Sequence, residues 1–256
     1  MTDTARLDVA WPLLAGRRAL VTGGSRGIGA GIVRRLVADG AAVAFTYRES
    51  KDAANDLEQE VISAGGQAFA IQADSENADA VRGAVSTTVD RFDGLDVLVN
   101  NAGTSHTAPI GEFPMAEFER IVAVNVRAIF VAIQAALPHL DEGGRIISIG
   151  SVLAERAPFG EISVYALSKA AVAGLSRNLA RELGPRGITV NTVQPGPVET
   201  DMNPASGEFA DAVRSLTALG QYAQPRDIAD AVAFLARIES GFVTGASWNV
   251  DGGFAL

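Results

Sequence analysis

The stretch SVYALSK, residues 163–169, sets Tyr165 and Lys169 four positions apart in an apolar, alanine-rich segment. On a helix that spacing puts the phenol and the ammonium on one face, one turn apart. A free phenol titrates near 10, too high for easy proton exchange at neutral pH. A cation ~4 Å away contributes ~4 kcal/mol at an effective dielectric of ~20, about three pKa units. Burial acts in the opposite direction. If the charge prevails, Tyr165 approaches a pKa near 7 and can donate and accept protons in general acid–base catalysis. A tyrosine that packs and a lysine that snorkels outward would show the same spacing, so other residues must decide.

A second group lies near the start of the chain. In TGGSRGIG, residues 22–29, Gly23, Gly27 and Gly29 allow a tight turn and close approach of backbone to a ligand. With Ser25, Arg26 and Ile28 they form a loop between an apolar run and a helical pattern. Free N–H groups at such a helix start favour a pyrophosphate. The spacing differs from the commoner Gly-x-Gly-x2-Gly fingerprint, and a bare strand–helix turn also accounts for glycines of this kind. Further on, at the end of the second apolar run, stand Tyr47 and Arg48. An acid there would hold a ribose 2′-hydroxyl, whereas arginine accepts a 2′-phosphate. Two arginines and no acid at Tyr47 favour NADP over NAD, with Glu49 as the opposing sign.

These groups need a scaffold, and the hydrophobic pattern supplies one. Strands are expected at 18–24, 41–47, 67–74, 95–103, 144–151, 187–196 and 246–253. Helices are expected at 27–40, 51–66, 77–92, from Pro114 to Pro138, from 163 to Gly184, and from about Pro225. Such alternation predicts a Rossmann-like α/β fold, a doubly wound parallel sheet of about seven strands with helices on both faces. No linker or repeat divides the chain, so residues 11–256 read as a single domain after a loose leader at 1–10. Ligands of such sheets bind at the carboxyl ends of the strands. The segment 201–222, with Met202, Phe209, Leu216 and Leu219, reads as a lid.

Composition narrows the chemistry. The 256 residues are 48% apolar and 20% charged, enough for a large core. Cysteine is absent and only His106 and His139 are present, which argues against thiolate chemistry and a histidine-built metal site. Both histidines read as loop or helix-end residues. The net charge of −9 is unfavourable for nucleic acid. No uninterrupted apolar run approaches the ~18 residues of a membrane span, and the start is a poor signal peptide. The expectation is a cytoplasmic protein with a small-molecule substrate and no membrane or nucleic-acid partner.

Taken together, the motifs resemble the classical short-chain dehydrogenase/reductase family along nearly the whole chain. The resemblance extends to its 3-oxoacyl-carrier-protein reductase-like and biofilm-dispersal-mediator-like members. TGGSRGIG matches the cofactor loop, NNAG (100–103) the motif after the fourth strand, Asn125 the helix asparagine, and PGPVET (195–200) the motif after the sixth strand. Ser151, Tyr165 and Lys169 match the active-site serine and Tyr-x3-Lys.

The resemblance implies that Ser151 binds the substrate oxygen and Tyr165 exchanges its proton. It implies that Lys169 holds the nicotinamide ribose and lowers the Tyr165 pKa, helped by the positive nicotinamide, and that Asn125 holds a water linking Lys169 to solvent. Asp74 would sit by the adenine, Asn100, Ala102 and Gly103 by the adenosine ribose, and Pro195, Gly196, Val198 and Thr200 by the nicotinamide. Ser151 stands one residue further from Tyr165 than the serine of many relatives. Ser148 is therefore an alternative.

The reaction implied is hydride transfer between NADP(H) and a carbonyl or secondary alcohol, in a homotetramer or homodimer. The second reading is a non-catalytic nucleotide-binding regulatory protein on the same scaffold.

Overall fold

Short apolar runs, most of them closed by glycine turns, form the strands of a parallel sheet. In the computed structural model, which describes residues 13–256, these are β1 (Arg18–Val21), β2 (Ala42–Tyr47), β3 (Gln67–Gln72), β4 (Val97–Asn100), β5 (Arg145–Ile149), β6 (Thr189–Pro195) and β7 (Ser247–Val250). The helices are α1 (Gly27–Ala38), α2 (Lys51–Ser63), α3 (Ala78–Phe92), α4 (Met115–Val122), α5 (Ala128–Ala136), α6 (Ser163–Leu183), α7 (Glu208–Ser215) and α8 (Pro225–Ala236). The leader expected at 1–10 lies outside the described residues.

All seven strands are parallel, in the order β3-β2-β1-β4-β5-β6-β7. The chain winds outward from β1 to β3 and then returns to place β4 on the other side of β1. That reversal opens a crevice beyond the carboxyl ends of β1 and β4. Residues of α1, α2 and α8 bury one face, including Ile32, Leu36, Leu57 and Val232. Residues of α3, α5 and α6 bury the other, including Val85, Ile129, Ile133 and Val172.

At the opposite, amino edge, Arg145 begins β5 almost fully buried. Its guanidinium donates to the carbonyls of Gly143, Gly144, Arg237 and Ile238, which fastens the end of α8 to the sheet. Burial lowers its pKa, but these carbonyls satisfy the donors that burial strips of water.

Three expectations change. The helix expected from Pro114 to Pro138 starts one residue later, with Pro114 as its N-cap, and contains a π-helical turn at Ala123–Arg127 between α4 and α5. The fourth strand ends at Asn100, so Asn101–Gly103 is loop. The lid segment 201–222 contains a helix of its own, α7, docked through Phe209 on Phe159 with ring centroids 5.5 Å apart. The helical stretch Met115–His139 is long and apolar enough to cross a membrane by length and composition, and more than half of it is buried in the protein. Its inner apolar residues belong to the core under β4 and β5.

Candidate active site

The crevice is a cleft of about 460 Å³. Its floor begins where β1 turns into α1. Gly23 and Gly27 have φ of 64° and 52°, in the left-handed region that glycine occupies without strain. A Cβ at Gly29 would stand 2.1 Å from the Gly23 carbonyl oxygen, so only hydrogen fits there. The loop is pinned to its neighbours by two threonines. Thr46 Oγ1 accepts from Gly23 N at 2.9 Å, and Thr22 Oγ1 accepts from both Asn101 N and Ala102 N at 3.0 Å. Asn101 Nδ2 donates back to the Thr22 and Gly23 carbonyls.

The first turn of α1 has no side-chain cap and no acidic residue. Its N–H groups therefore remain available to an anion, with the helix dipole in their favour. This cradle, closed to a Cβ at Gly23 and Gly29 and rich in free donors, fits the pyrophosphate of a dinucleotide.

Of the residues singled out in the sequence, Gly23, Ser25, Arg26, Gly27, Ile28, Gly29, Tyr47, Arg48, Asp74, Ala102, Gly103, Ser151, Tyr165, Lys169, Pro195, Gly196, Val198 and Thr200 line this cleft. Two do not. Asn100 is 1% exposed and donates to Oγ of Ser148, its neighbour on β5, at 3.4 Å. It is the last residue of β4 and shares a face with Leu98, so the pleat aims it into the layer under α5 and α6. Asn101, in the loop, reaches the cleft in its place.

Asn125 is fully buried in the π turn. Its Oδ1 accepts from Thr104 N at 2.8 Å, and its Nδ2 donates to Thr104 O at 2.9 Å and to Ser168 Oγ at 3.0 Å. The side chain thus ties the loop after β4 to helix α6. The extra residue of the π turn explains how an asparagine in mid-helix reaches both.

At the far end of the cleft Ser151, Tyr165 and Lys169 stand together. Ser151 follows β5 and Ser148 lies within it, so Ser151 opens into the cleft while Ser148 is sealed in the sheet. Lys169 is 4% exposed, donates from Nζ to the Ile149 carbonyl at 2.8 Å, and lies 5.6 Å from the centre of the Tyr165 ring.

The expected lowering of the phenol pKa is not present in this arrangement. Burial pushes the Tyr165 phenol above its ordinary value, and a hydrogen bond with Ser151 offsets part of that. Burial also brings Lys169 down from 10.5 to about 8. The ammonium sits over the ring rather than against the phenol oxygen, and both groups are desolvated. Desolvation therefore outweighs the attraction assumed from spacing alone.

Four contributors escaped the sequence reading: Thr22, Thr46, Asn101 and Ser168. Ser168 lies inside the SVYALSK stretch, immediately before Lys169, and is fully buried. Its Oγ accepts from Asn125 and donates to the Tyr165 carbonyl at 2.7 Å. A serine at a core position of an apolar helix was the available signal.

His106, His139 and Asp251 lie outside the cleft. His106 packs edge-on against Phe113 and lies 3.8 Å from Glu117. His139 sits exposed in a terminal helical turn. Asp251 accepts from Gly253 N and Ala255 N and fixes the final turn. Among the described residues no cluster of His, Asp and Glu could hold a metal ion.

Known proteins share this sequence and shape. The family model described as enoyl-(acyl carrier protein) reductase matches residues 23–255. A cyclic-di-GMP-binding biofilm dispersal mediator protein of Escherichia coli is 46% identical over 239 residues, 93% of this chain and 97% of its own. A short-chain dehydrogenase/reductase from Serratia marcescens superposes with a TM-score of 0.94 at 53% identity, over 95% of this chain and 100% of its own. A short-chain dehydrogenase from Burkholderia cenocepacia, solved in complex with NADP, does so with a TM-score of 0.94 at 50% identity, also over 95% and 100%.

Proposed function

This chain belongs to the short-chain dehydrogenase/reductase family, and we propose that it is an NADP(H)-dependent oxidoreductase acting on a carbonyl compound or its secondary alcohol. The observation that carries this reading is the meeting of Ser151, Tyr165 and Lys169 at one end of the cleft whose other end is the glycine cradle. A dinucleotide spanning the two would present its nicotinamide beside the phenol. The arginines Arg26 and Arg48 at the end of the cleft near β2 support NADP over NAD.

When bound, the cofactor supplies the hydride. The chain supplies position and a proton. The Ser151 hydroxyl and the Tyr165 phenol form a pair that can hold one carbonyl oxygen between them, and Tyr165 donates its proton as that oxygen gains charge. Because burial raises the phenol pKa, Tyr165 is fully protonated at neutral pH, as a donor in reduction must be. Lys169 keeps a cation beneath the ring and restrains the charge that develops on the phenolate. Val198, Thr200 and Met202 close the cleft from the strap after β6.

The substrate in this reading is a free small carbonyl compound. A net charge of −9 gives no long-range attraction to an acidic acyl-carrier protein. Exposed Phe130, Leu167 and Phe242 support a homotetramer or homodimer, and a cytoplasmic location completes the proposal.

The test is turnover of a panel of ketones and aldehydes with NADPH and NADH in parallel, followed by cofactor oxidation. Tyr165→Phe and Ser151→Ala are expected to lose activity by a hundredfold or more while cofactor binding persists, as general acid–base groups do. Ser148→Ala is expected to keep its activity. Dinucleotide binding without turnover of any carbonyl compound would instead favour a nucleotide-binding regulatory protein.

A further inference from the structure

Both cations near the β2 end of the cleft are already answered by carboxylates. Arg48 forks between two of them, with Nε 3.1 Å from Glu49 Oε1 and Nη1 3.6 Å from Glu76 Oε1. Arg26 faces Asp201 of the strap at 3.9 Å. Two guanidinium groups therefore meet three carboxylates where a 2′-phosphate would arrive.

We propose that Glu76 is a specificity-determining residue: its ion pair with Arg48 limits how strongly the cleft prefers a 2′-phosphorylated dinucleotide over the unphosphorylated one. This inference rests on the cofactor reading above and concerns its selectivity.

A 2′-phosphate must draw the Arg48 guanidinium away from Glu76, whereas a ribose 2′-hydroxyl makes no such demand. Glu76 therefore acts against one ligand and is neutral toward the other, which is how specificity is set. Glu49 is a weaker competitor. It adjoins Arg48 in the chain, is 78% exposed, and is free to swing into water.

Glu76 comes from another element, and its backbone is held from both sides, so its side chain reaches Arg48 from a fixed point. Its carbonyl accepts from Arg127 Nη2 at 2.8 Å, and its N–H donates to Asp74 Oδ1 at 2.9 Å. The Glu76 side chain is 37% exposed and that of Arg48 48%, so the pair is a modest, screened one. Removing the charge should change affinity roughly three- to fivefold.

Calorimetric titration with 2′,5′-ADP and with 5′-AMP reads binding without turnover. Glu76→Gln should tighten 2′,5′-ADP three- to fivefold and leave 5′-AMP unchanged. The gain should disappear at high salt and in an Arg48→Ala background. An equal change for both ligands, no change for either, or a gain that survives Arg48→Ala would overturn the inference. If the unmodified protein binds 5′-AMP but not 2′,5′-ADP, the NADP reading falls and this inference with it. If it binds both and Glu76→Gln alters neither, only this inference falls.

Discussion

Asn125 and Ser168 share a hydrogen bond of 3.0 Å although 43 residues separate them in the chain. One is held in a π turn and the other precedes Lys169 on α6. Through Ser168 the bond continues to the Tyr165 carbonyl, so the loop after β4, the mid-helix asparagine and the turn bearing the phenol move as one unit. Ser168 is a positioning residue, acting through Asn125 and the Tyr165 backbone. Ser168→Ala leaves one Nδ2 hydrogen of Asn125 without an acceptor in the core, a cost of about 1–3 kcal/mol. The melting temperature should fall by a few degrees. In addition kcat should fall severalfold with KM for the dinucleotide unchanged, and Ser168→Cys should restore part of it. A loss of stability with kcat intact would reduce Ser168 to packing.

The buried Lys169 makes stability depend on pH in a defined direction. Its folded pKa, about 8, lies below the ordinary 10.5. At pH 7 both folded and unfolded chains carry the proton, and the folded one bears the full cost of a desolvated charge. Between about 8 and 10.5 the unfolded chain binds more protons, so this contribution improves as pH rises. The difference corresponds to about 3 kcal/mol at most. Lys169→Met should therefore raise the melting temperature of the cofactor-free protein at pH 7 by several degrees, with a smaller gain near pH 10, while abolishing turnover. Thermal melts across that range check the sign. A gain that grows toward pH 10 would contradict it.

Two glycines in the cleft differ in what the same small change costs the fold. Gly29→Ala drives a methyl into the Gly23 carbonyl, 2.1 Å away, and toward Asn101 Nδ2 at 2.6 Å. It should open the cradle, cost about 1–3 kcal/mol of stability and weaken dinucleotide binding. Gly103→Ala meets nothing nearer than 3.6 Å, where Asn125 Oδ1 and Lys169 Nζ converge. Stability should stay within about 0.5 kcal/mol, yet the methyl stands in the cleft and should weaken the dinucleotide roughly tenfold. Melting curves and binding titrations on the two variants separate the effects.

The fold was largely legible from sequence because a doubly wound parallel sheet writes itself in alternating apolar runs and helical periods. Glycine turns mark most of the boundaries. The errors cluster where backbone geometry departs from a regular period. The π turn at Ala123–Arg127 keeps a helical pattern while adding a residue per turn, so no spacing rule exposes it. Asn100 and Asn101 are identical in type, and only the end of β4 between them decides that the first is sealed in the core and the second reaches the cleft.

The pairing of Tyr165 with Lys169 was readable from their spacing, but the direction of the phenol's pKa was not. Spacing says that two groups are near, whereas the shift depends on how much water both have lost and on where the ammonium lies relative to the oxygen. Thr22, Thr46 and Ser168 were missed because short hydroxyl side chains carry no periodicity. Their roles arise from partners brought close by the sheet and helix packing.

Because all seven strands point the same way, the protein separates innovation from upkeep. Arg145 and its carbonyl partners secure the tail of α8 at one rim, far in function from the segments that meet the guest molecule at the other. The connections ahead of α6 and around α7 can drift in length and character without loosening that anchorage. A lineage built on this plan can trade one organic substrate for another while its dinucleotide seat is inherited intact.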